Sequence, residues 1–474
     1  MPAVAVAASS PMAAEGGARV AAMGGNAVDA AVAATLVSLT TETAVASLGG
    51  GAFVTLSPPA GEPYTIDAYV EMPGRGAAPD AFGSGLRTVR FSYGGGLETT
   101  VGHGSVATPG SVAGLEEAWK REGSLPWPRL FEPAIEWARD GFPLTPAAHH
   151  YLVHSHEAVF GWHPESRRAL HREDGSLRDA GERVRIDGLA ETLETIAGEG
   201  ARAFYEGELA DRIATHVRDN GGLLSAEDLA SYEARVREPL HADVGGWRVS
   251  TNPPPAIGGA ALVAMLLLMG DEPRESWTPA ALRRQIRVQE AVLEYRHREL
   301  DGSDDLIRDV GALLDPGTLE VLGRRVESAS TVHTSTVDSE GRACAISAST
   351  GYGSGVVPPG TGIFLNNCLG EHELNPRGLH AWKVGERLPS NMAPTLARAA
   401  DGSILAVGSP GADRITTAIL QTLVSFLNLG MTLEEAIAHP RLHVERVDGR
   451  TVVAYEPGLP VDELGVECRA FESI

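Results

Sequence analysis

Hydrophobic and polar positions change rhythm once along this chain. From Ser111 to Arg325 apolar residues recur at helical spacing, punctuated by residues that start and stop helices. Gly110-Ser111 precedes an apolar run to Trp119, and Pro133 opens a segment that closes on Gly141. Ser225-Ala-Glu-Asp228 has the form of a capping box, and Pro253-Pro-Pro leads into an apolar helix over 260–269. Residues 283–299 interleave arginine with glutamate as a solvated helix face does. After residue 330 the pattern shortens to β-type runs set off by glycines, at 334–337, 343–349, 363–365 and 404–407. Nearer the start, Gly24-Gly25-Asn26 is a turn, and residues 29–36 predict a small-residue helix able to lie close on a sheet. Gly49-Gly50-Gly51 enters a strand over 52–56. No Lys-Ser/Thr and no helix follow it, so these glycines are expected to serve close packing rather than phosphate binding.

The stretch from Ser328 to Gly341 lies at the change of rhythm. Taken alone, Thr331 there is an ordinary β-branched residue opening a strand, but the same place suits a hidden nucleophile released by a cut in the chain. The 474 residues exceed a usual single core, yet no linker, repeat or low-complexity tract divides them. Lys and Arg number 39 against 62 Asp and Glu, a net charge of −23 that argues against nucleic acid or an anionic membrane as partner. No His or Cys falls at metal-ligand spacing, so neither a metal nor another cofactor is expected. Cys344, Cys368 and Cys468 are odd in number and scattered, unlike a disulfide framework. The opening residues lack a charged, apolar leader and no run is long enough to span a bilayer, so the expected compartment is the cytoplasm.

A series of landmarks then falls in order: Gly24 to Val32, Gly49-Gly-Gly-Ala-Phe53, Ala107-Thr-Pro-Gly110, Phe204-Tyr205-Glu-Gly207, Thr331-Val-His333, Gly351-Tyr-Gly-Ser-Gly-Val356, Gly362-Ile-Phe-Leu-Asn-Asn367, Ser390-Asn-Met-Ala-Pro394 and Gly408-Ser-Pro-Gly411. In these the chain resembles the γ-glutamyltranspeptidase family of N-terminal-nucleophile hydrolases along almost its whole length. The resemblance implies an α/β fold, a four-layer αββα sandwich, made as one precursor that cuts itself between Ser330 and Thr331. Residues 1–330 would form a large subunit and 331–474 a small one, together one core and a heterodimer acting on a small molecule; whether two heterodimers pair is left open.

The resemblance also implies roles. Thr331 would supply both the nucleophilic hydroxyl and, as a new amino terminus, the base that activates it. Ser349 stands where the family places a threonine supporting that nucleophile. Gly411 and Ala412 stand at the Gly-Gly oxyanion hole, whose donors are backbone N–H groups. The substrate positions depart from the pattern. Val70 falls where an arginine holds the γ-glutamyl carboxylate, with Arg75 and Arg87 as nearby substitutes, and the usual serine pair reads Ser390-Asn391. On the ammonium side Cys368 replaces a glutamine, Glu371 stands for an aspartate and Gly351 falls near a usual asparagine. A pocket so built should not favour free γ-glutamyl groups.

The expected activity is therefore acyl hydrolysis or transfer through an acyl-enzyme on a substrate other than glutathione. Rivals are a C–C bond hydrolase of the kind that serves 4-alkyl-proline antibiotic pathways, a γ-glutamyl hydrolase, a cephalosporin-type acylase, a poly-γ-glutamate-processing enzyme, and a non-catalytic binding protein that kept the fold. Cys368 reads as a pocket-wall thiol rather than a second nucleophile.

Overall fold

The computed structural model describes residues 3–92, 96–270, 276–321, 331–411, 414–447 and 450–471. Its strands in chain order are β1 (Val4–Ala8), β2 (Gly51–Ser57), β3 (Tyr64–Ala68), β4 (Arg87–Phe91), β5 (Leu97–Val101), β6 (Phe142–Pro143), β7 (Arg183–Val184), β8 (Arg235–Arg237), β9 (Leu240–Val244), β10 (Trp247–Thr251), β11 (Val332–Asp338), β12 (Ala343–Ser349), β13 (Thr395–Ala399), β14 (Ile404–Val407), β15 (Leu442–Val447), β16 (Arg450–Tyr455) and β17 (Glu467–Ala470). Six form one sheet in the order β1-β11-β12-β2-β3-β8, and four form another in the order β14-β13-β10-β9. Smaller sheets join β15-β16-β17, β4-β5 and β6-β7. Both larger sheets draw strands from either side of residue 331.

The two-residue period of β12 sorts its side chains between two environments. Cys344, Ile346 and Ala348 belong to the core shared with the helices Pro11–Ala22, Ala27–Thr41 and Trp127–Asp140. Ala343 and Ala345 face the other way and pack with Leu396 of β13, Ile404 and Ala406. Thr55 of β2 crosses the same divide, donating its hydroxyl to the Pro394 carbonyl at 2.7 Å. Helix Ala27–Thr41 is buried along its whole length against β11, β12 and β1, as a helix apolar all round must be. Asn26, read from sequence as part of a turn, caps it through a capping box with Asp29.

The Ser225–Asp228 capping box forms as read, and the apolar helix runs Ile257–Met269. Gly49, Gly50 and Gly51 serve packing. A methyl on them would come within 2.5 Å of the Phe364 carbonyl, 2.3 Å of the Ser349 carbonyl and 2.6 Å of the Tyr69 ring, respectively. Three expectations need correction. The helix expected to open at Pro133 opens at Trp127; Pro133 sits inside it, giving up one backbone bond while its ring seats near Gly16. Residues 363–365 form no strand, only a single bridge from Leu365 to Gly49, because Asn366 and Asn367 redirect the chain through side-chain hydrogen bonds. The arginine-rich stretch is a helix over Pro279–Tyr295 followed by a wider turn, Arg296–Leu300, and Arg296 is buried against Asp301 at 2.8 Å rather than solvated. Among the described residues no helix is long and apolar enough to cross a membrane.

Candidate active site

Thr331 immediately precedes β11 and is 4% exposed. The ladder pairs Val332 with Ala348, so one further step of the same antiparallel register sets Thr331 opposite Ser349, the last residue of β12. Ser349 in turn pairs with Gly51 of β2, and its hydroxyl accepts the Gly351 N–H at 3.0 Å. Ser330, on the other side of the expected cut, lies outside the described residues.

Two residues on, His333 shares Thr331's face of the sheet. Its Nδ1 is bonded with the Ser347 hydroxyl at 2.9 Å and its Nε2 with the Ser335 hydroxyl at 2.8 Å. Burial holds its imidazole down at about 3, so it is neutral and sits as a bonded spacer rather than a base. Against this ring lies Gly408, where a methyl would approach within 2.3 Å. The Gly408-Ser-Pro-Gly411 loop is thereby brought beside the start of β11. Gly411 has φ of +111°, a conformation suited to glycine; Ala412 lies outside the described residues.

The positions expected to bind substrate gather on a second set of loops. Val70 and Cys368 belong to one buried apolar cluster with Phe53, Tyr69, Leu388 and Met392. The Tyr69 hydroxyl donates to the Cys368 sulfur at 3.6 Å and lies within bonding reach of Ser390. Burial, then the nearby Glu371 charge, raises the Cys368 thiol well above its ordinary range, which keeps it protonated and a poor nucleophile. Ser390 is used locally: its carbonyl accepts the Ile257 and Gly258 N–H groups at 2.8 and 3.1 Å, and its hydroxyl accepts the Met392 N–H at 3.2 Å. Asn391 is buried beside it, its carbonyl where a methyl on Gly258 would stand.

Gly351, at φ of +64°, lies directly under Glu371: a methyl there would come within 2.5 Å of Asn367 Oδ1 and 2.7 Å of Glu371 Oε1. The asparagine expected near this point has no room. Glu371 is 3% exposed, and its Oε1 has no hydrogen-bond partner among the described residues. Burial first, and the neighbouring Glu373 second, push its carboxyl well above the usual range. Burial likewise raises Glu373, whose Oε1 accepts the Tyr352 hydroxyl at 2.6 Å. A cavity of about 670 Å³ reaches Glu373 of this pair and is lined also by His372, Arg298 and Asp301.

Of the two arginines offered as substitute clamps, one already has carboxylate partners and the other faces solvent. Arg75 is committed to buried Asp228 at 3.1 Å and lies 3.8 Å from Glu71, while Arg87 is exposed on β4. Asp67 and Glu71 on either side of Val70 are also engaged, with Arg387 at 3.2 and 2.7 Å beneath the Tyr232 ring.

Tyr69 was not singled out from sequence, and Asn366 and Asn367 were read there only as part of a landmark. Asn366 donates to the Gly49 and Ala107 carbonyls at 2.8 and 2.9 Å and accepts from the Ala107 and Cys368 N–H groups, tying three loops together. Asn367 joins Thr99, Thr100 and Tyr352 in the same way. Tyr69 links Cys368 to Ser390, and the landmark His333 acquires its spacer role only in three dimensions. The group of potential metal ligands gathered among the described residues is His103, His163 and His216, positions that no spacing rule joins.

The family model described as gamma-glutamyltranspeptidase matches residues 13–465. Glutathione hydrolase proenzyme of Escherichia coli strain K12 is 31% identical over 454 residues, covering 89% of this chain and 77% of that one. Its Pseudomonas aeruginosa counterpart is 32% identical over 484 residues, covering 94% and 84%. Among solved structures, cephalosporin acylase from Bacillus halodurans superposes with a TM-score of 0.81 at 26% identity, covering 99% of this chain and 90% of that one. Helicobacter pylori gamma-glutamyltranspeptidase gives 0.54 at 25% identity, covering 67% and 91%. With a match of this extent the chain belongs to the gamma-glutamyltranspeptidase family, and it is an enzyme of the N-terminal-nucleophile kind that hydrolyses or transfers acyl groups.

Proposed function

We propose that the chain is a precursor with a four-layer αββα core that cuts itself between Ser330 and Thr331 and then turns over acyl donors lacking an α-carboxylate. The observation that carries this reading is the register that sets Thr331 opposite Ser349, with the Gly408–Gly411 loop held alongside by His333. In the uncut chain Thr331 is buried and its nitrogen is an amide, so it has neither access nor a base. The cut supplies the base. The Thr331 hydroxyl adds to the carbonyl of residue 330, the C–N bond breaks as nitrogen takes the proton, and water hydrolyses the resulting ester. The products are a carboxylate on the 1–330 fragment and a free amine and hydroxyl on Thr331. Because both larger sheets interleave strands from the two fragments, the heterodimer has no reason to separate.

In turnover the Thr331 amine accepts the hydroxyl proton as oxygen attacks the acyl carbon. Backbone N–H groups at Gly411 and Ala412 would meet the oxyanion, where one such donor contributes about 3–4 kcal/mol. The proton passes to the leaving group, and water or an acceptor amine then releases the acyl group from Thr331. Ser349 positions the nucleophile. Substrate choice follows from the pocket wall. Val70, Tyr69 and Cys368 present apolar surface and no free cation, whereas buried Glu371, with one oxygen unpartnered among the described residues, suits an amine. The similarity to cephalosporin acylase favours a narrower second reading, deacylation of a cephalosporin-type amide.

The test compares γ-glutamyl-p-nitroanilide with 4-aminobutyryl-p-nitroanilide, the same donor without its α-carboxylate. The expected result is a kcat/KM for the second at least tenfold higher, about 1.4 kcal/mol, with an acyl adduct on Thr331 found by mass spectrometry. Preference for the γ-glutamyl donor would overturn the substrate reading, and an adduct on another residue would overturn the nucleophile.

A further inference from the structure

His103, His163 and His216 come from three separate places: a one-turn helix His103–Ser105 after β5, the residue capping helix Pro164–Leu170, and the last turn of helix Glu208–Asp219. Their Nε2 atoms converge. His216 Nε2 is 3.3 Å from His103 Nε2 and 3.2 Å from His163 Nε2, and one ring nitrogen from each of the three falls within 4.8 Å of the others. His103 and His163 are buried and His216 is half-buried.

Hydrogen bonding alone serves this arrangement poorly. A neutral imidazole carries one hydrogen and one in-plane lone pair, so the single Nε2 of His216 cannot bond both neighbours well. His163 Nδ1 is buried without a hydrogen-bond partner among the described residues, so no neighbour there fixes which nitrogen bears the hydrogen. A shared cation would use all three lone pairs at once. With metal–nitrogen bonds of about 2.0–2.1 Å and a tetrahedral angle, two ligand nitrogens stand about 3.3–3.4 Å apart, close to the two separations observed. Asp219 and Glu165 bring negative charge to His216 and would offset the cation.

We propose that His103, His163 and His216 form a binding site for one late first-row divalent cation of the zinc type, a structural site distinct from the acyl-transfer chemistry. Three imidazoles favour zinc, cobalt or nickel over magnesium or calcium, which take oxygen ligands. The fourth position would be left to water on the half-buried His216 side. The ion would tie the three segments together next to the substrate wall: the Ser105 carbonyl accepts the Leu369 N–H at 3.2 Å, and Leu369 adjoins Cys368.

The experiment titrates chelator-treated full-length protein with Co²⁺, followed by its visible absorption, and with Zn²⁺, followed by calorimetry and by the melting temperature. One ion per chain, a tetrahedral-type cobalt spectrum and a higher melting temperature with zinc are expected. His216→Ala should weaken binding on the order of 100-fold or more. The double variant His150→Ala/His154→Ala removes a histidine pair spaced to chelate on another helix, and should leave tight binding unchanged. If His216→Ala fails to fold, His103→Asn is the second variant. The absence of stoichiometric binding, or an affinity unchanged by loss of either ligand, would overturn the proposal.

Discussion

Replacing Glu371 by glutamine should make the protein more stable at neutral pH while impairing its use of amine-bearing donors. Glu371 is buried, lies next to Glu373, and has one oxygen without a partner among the described residues. Its folded-state carboxyl is therefore held well above the usual range by burial and by its neighbour's charge, whereas the unfolded chain releases this proton near the ordinary value of about 4.3. The contribution to stability is full below that ordinary value and is lost as pH rises toward the folded-state one. For each pH unit over which the folded state keeps a proton the unfolded chain has lost, stability falls by about 1.4 kcal/mol. Over the two units from pH 5 to pH 7 that amounts to at most about 2.7 kcal/mol, or roughly 3 °C in melting temperature for a protein of this size. The Glu371→Gln change keeps the shape and removes the titration. The assay is thermal and urea unfolding of both proteins at half-unit steps from pH 5 to pH 8, in a Thr331→Ala background so that chain cleavage does not differ between samples. The variant's curve should be flatter, meeting the parent's near pH 5 and exceeding it at pH 7. Parallel curves would refute the reasoning, because they would show that the Glu371 carboxyl carries no folded-state penalty.

Three further outcomes follow from the site. Ser349→Ala removes the acceptor for the Gly351 N–H and the hydroxyl opposite Thr331; about 1 kcal/mol of stability and roughly tenfold or more in cleavage rate should go with it, read by unfolding and by timed electrophoresis. Gly408→Ala drives a methyl toward the His333 ring, and should cost about 1–3 kcal/mol and most of the turnover by displacing the loop. Adding His333→Ala should recover part of that activity. Cys368→Ala should keep turnover within a few fold, since the protonated, buried thiol is pocket wall; its loss of packing shows as about 1 kcal/mol in unfolding.

The parts of this protein legible in its sequence are those governed by local rules. The capping box at Ser225, the small-residue helix after the Gly24–Asn26 turn and the packing role of Gly49 to Gly51 follow from short-range chemistry, and the structure agrees with each. Order of landmarks sufficed for the family. What escaped depends on contacts across hundreds of residues. Arg296 looked solvated by its neighbours in sequence, but Asp301 and the wider turn bury it. Residues 363–365 have strand composition, yet Asn366 and Asn367 spend their amides on carbonyls from residues 49, 100 and 107 and turn the chain away. The absence of an asparagine at Gly351 looked like a loss; the structure shows that Glu371 and Asn367 fill the volume its side chain would need. The three converging histidines are 113 residues apart at their extremes and have no spacing signature.

The central claim is that a peptide bond yields to leave a hydroxyl and an amine on one residue. Amino-terminal sequencing of the purified protein, after its chains are parted by denaturing electrophoresis, addresses it directly. The account predicts a second chain that begins Thr331-Val-His-Thr, and none in the Thr331→Ala variant. Active protein that yields only one amino terminus, with residue 331 still inside an unbroken chain, would contradict it.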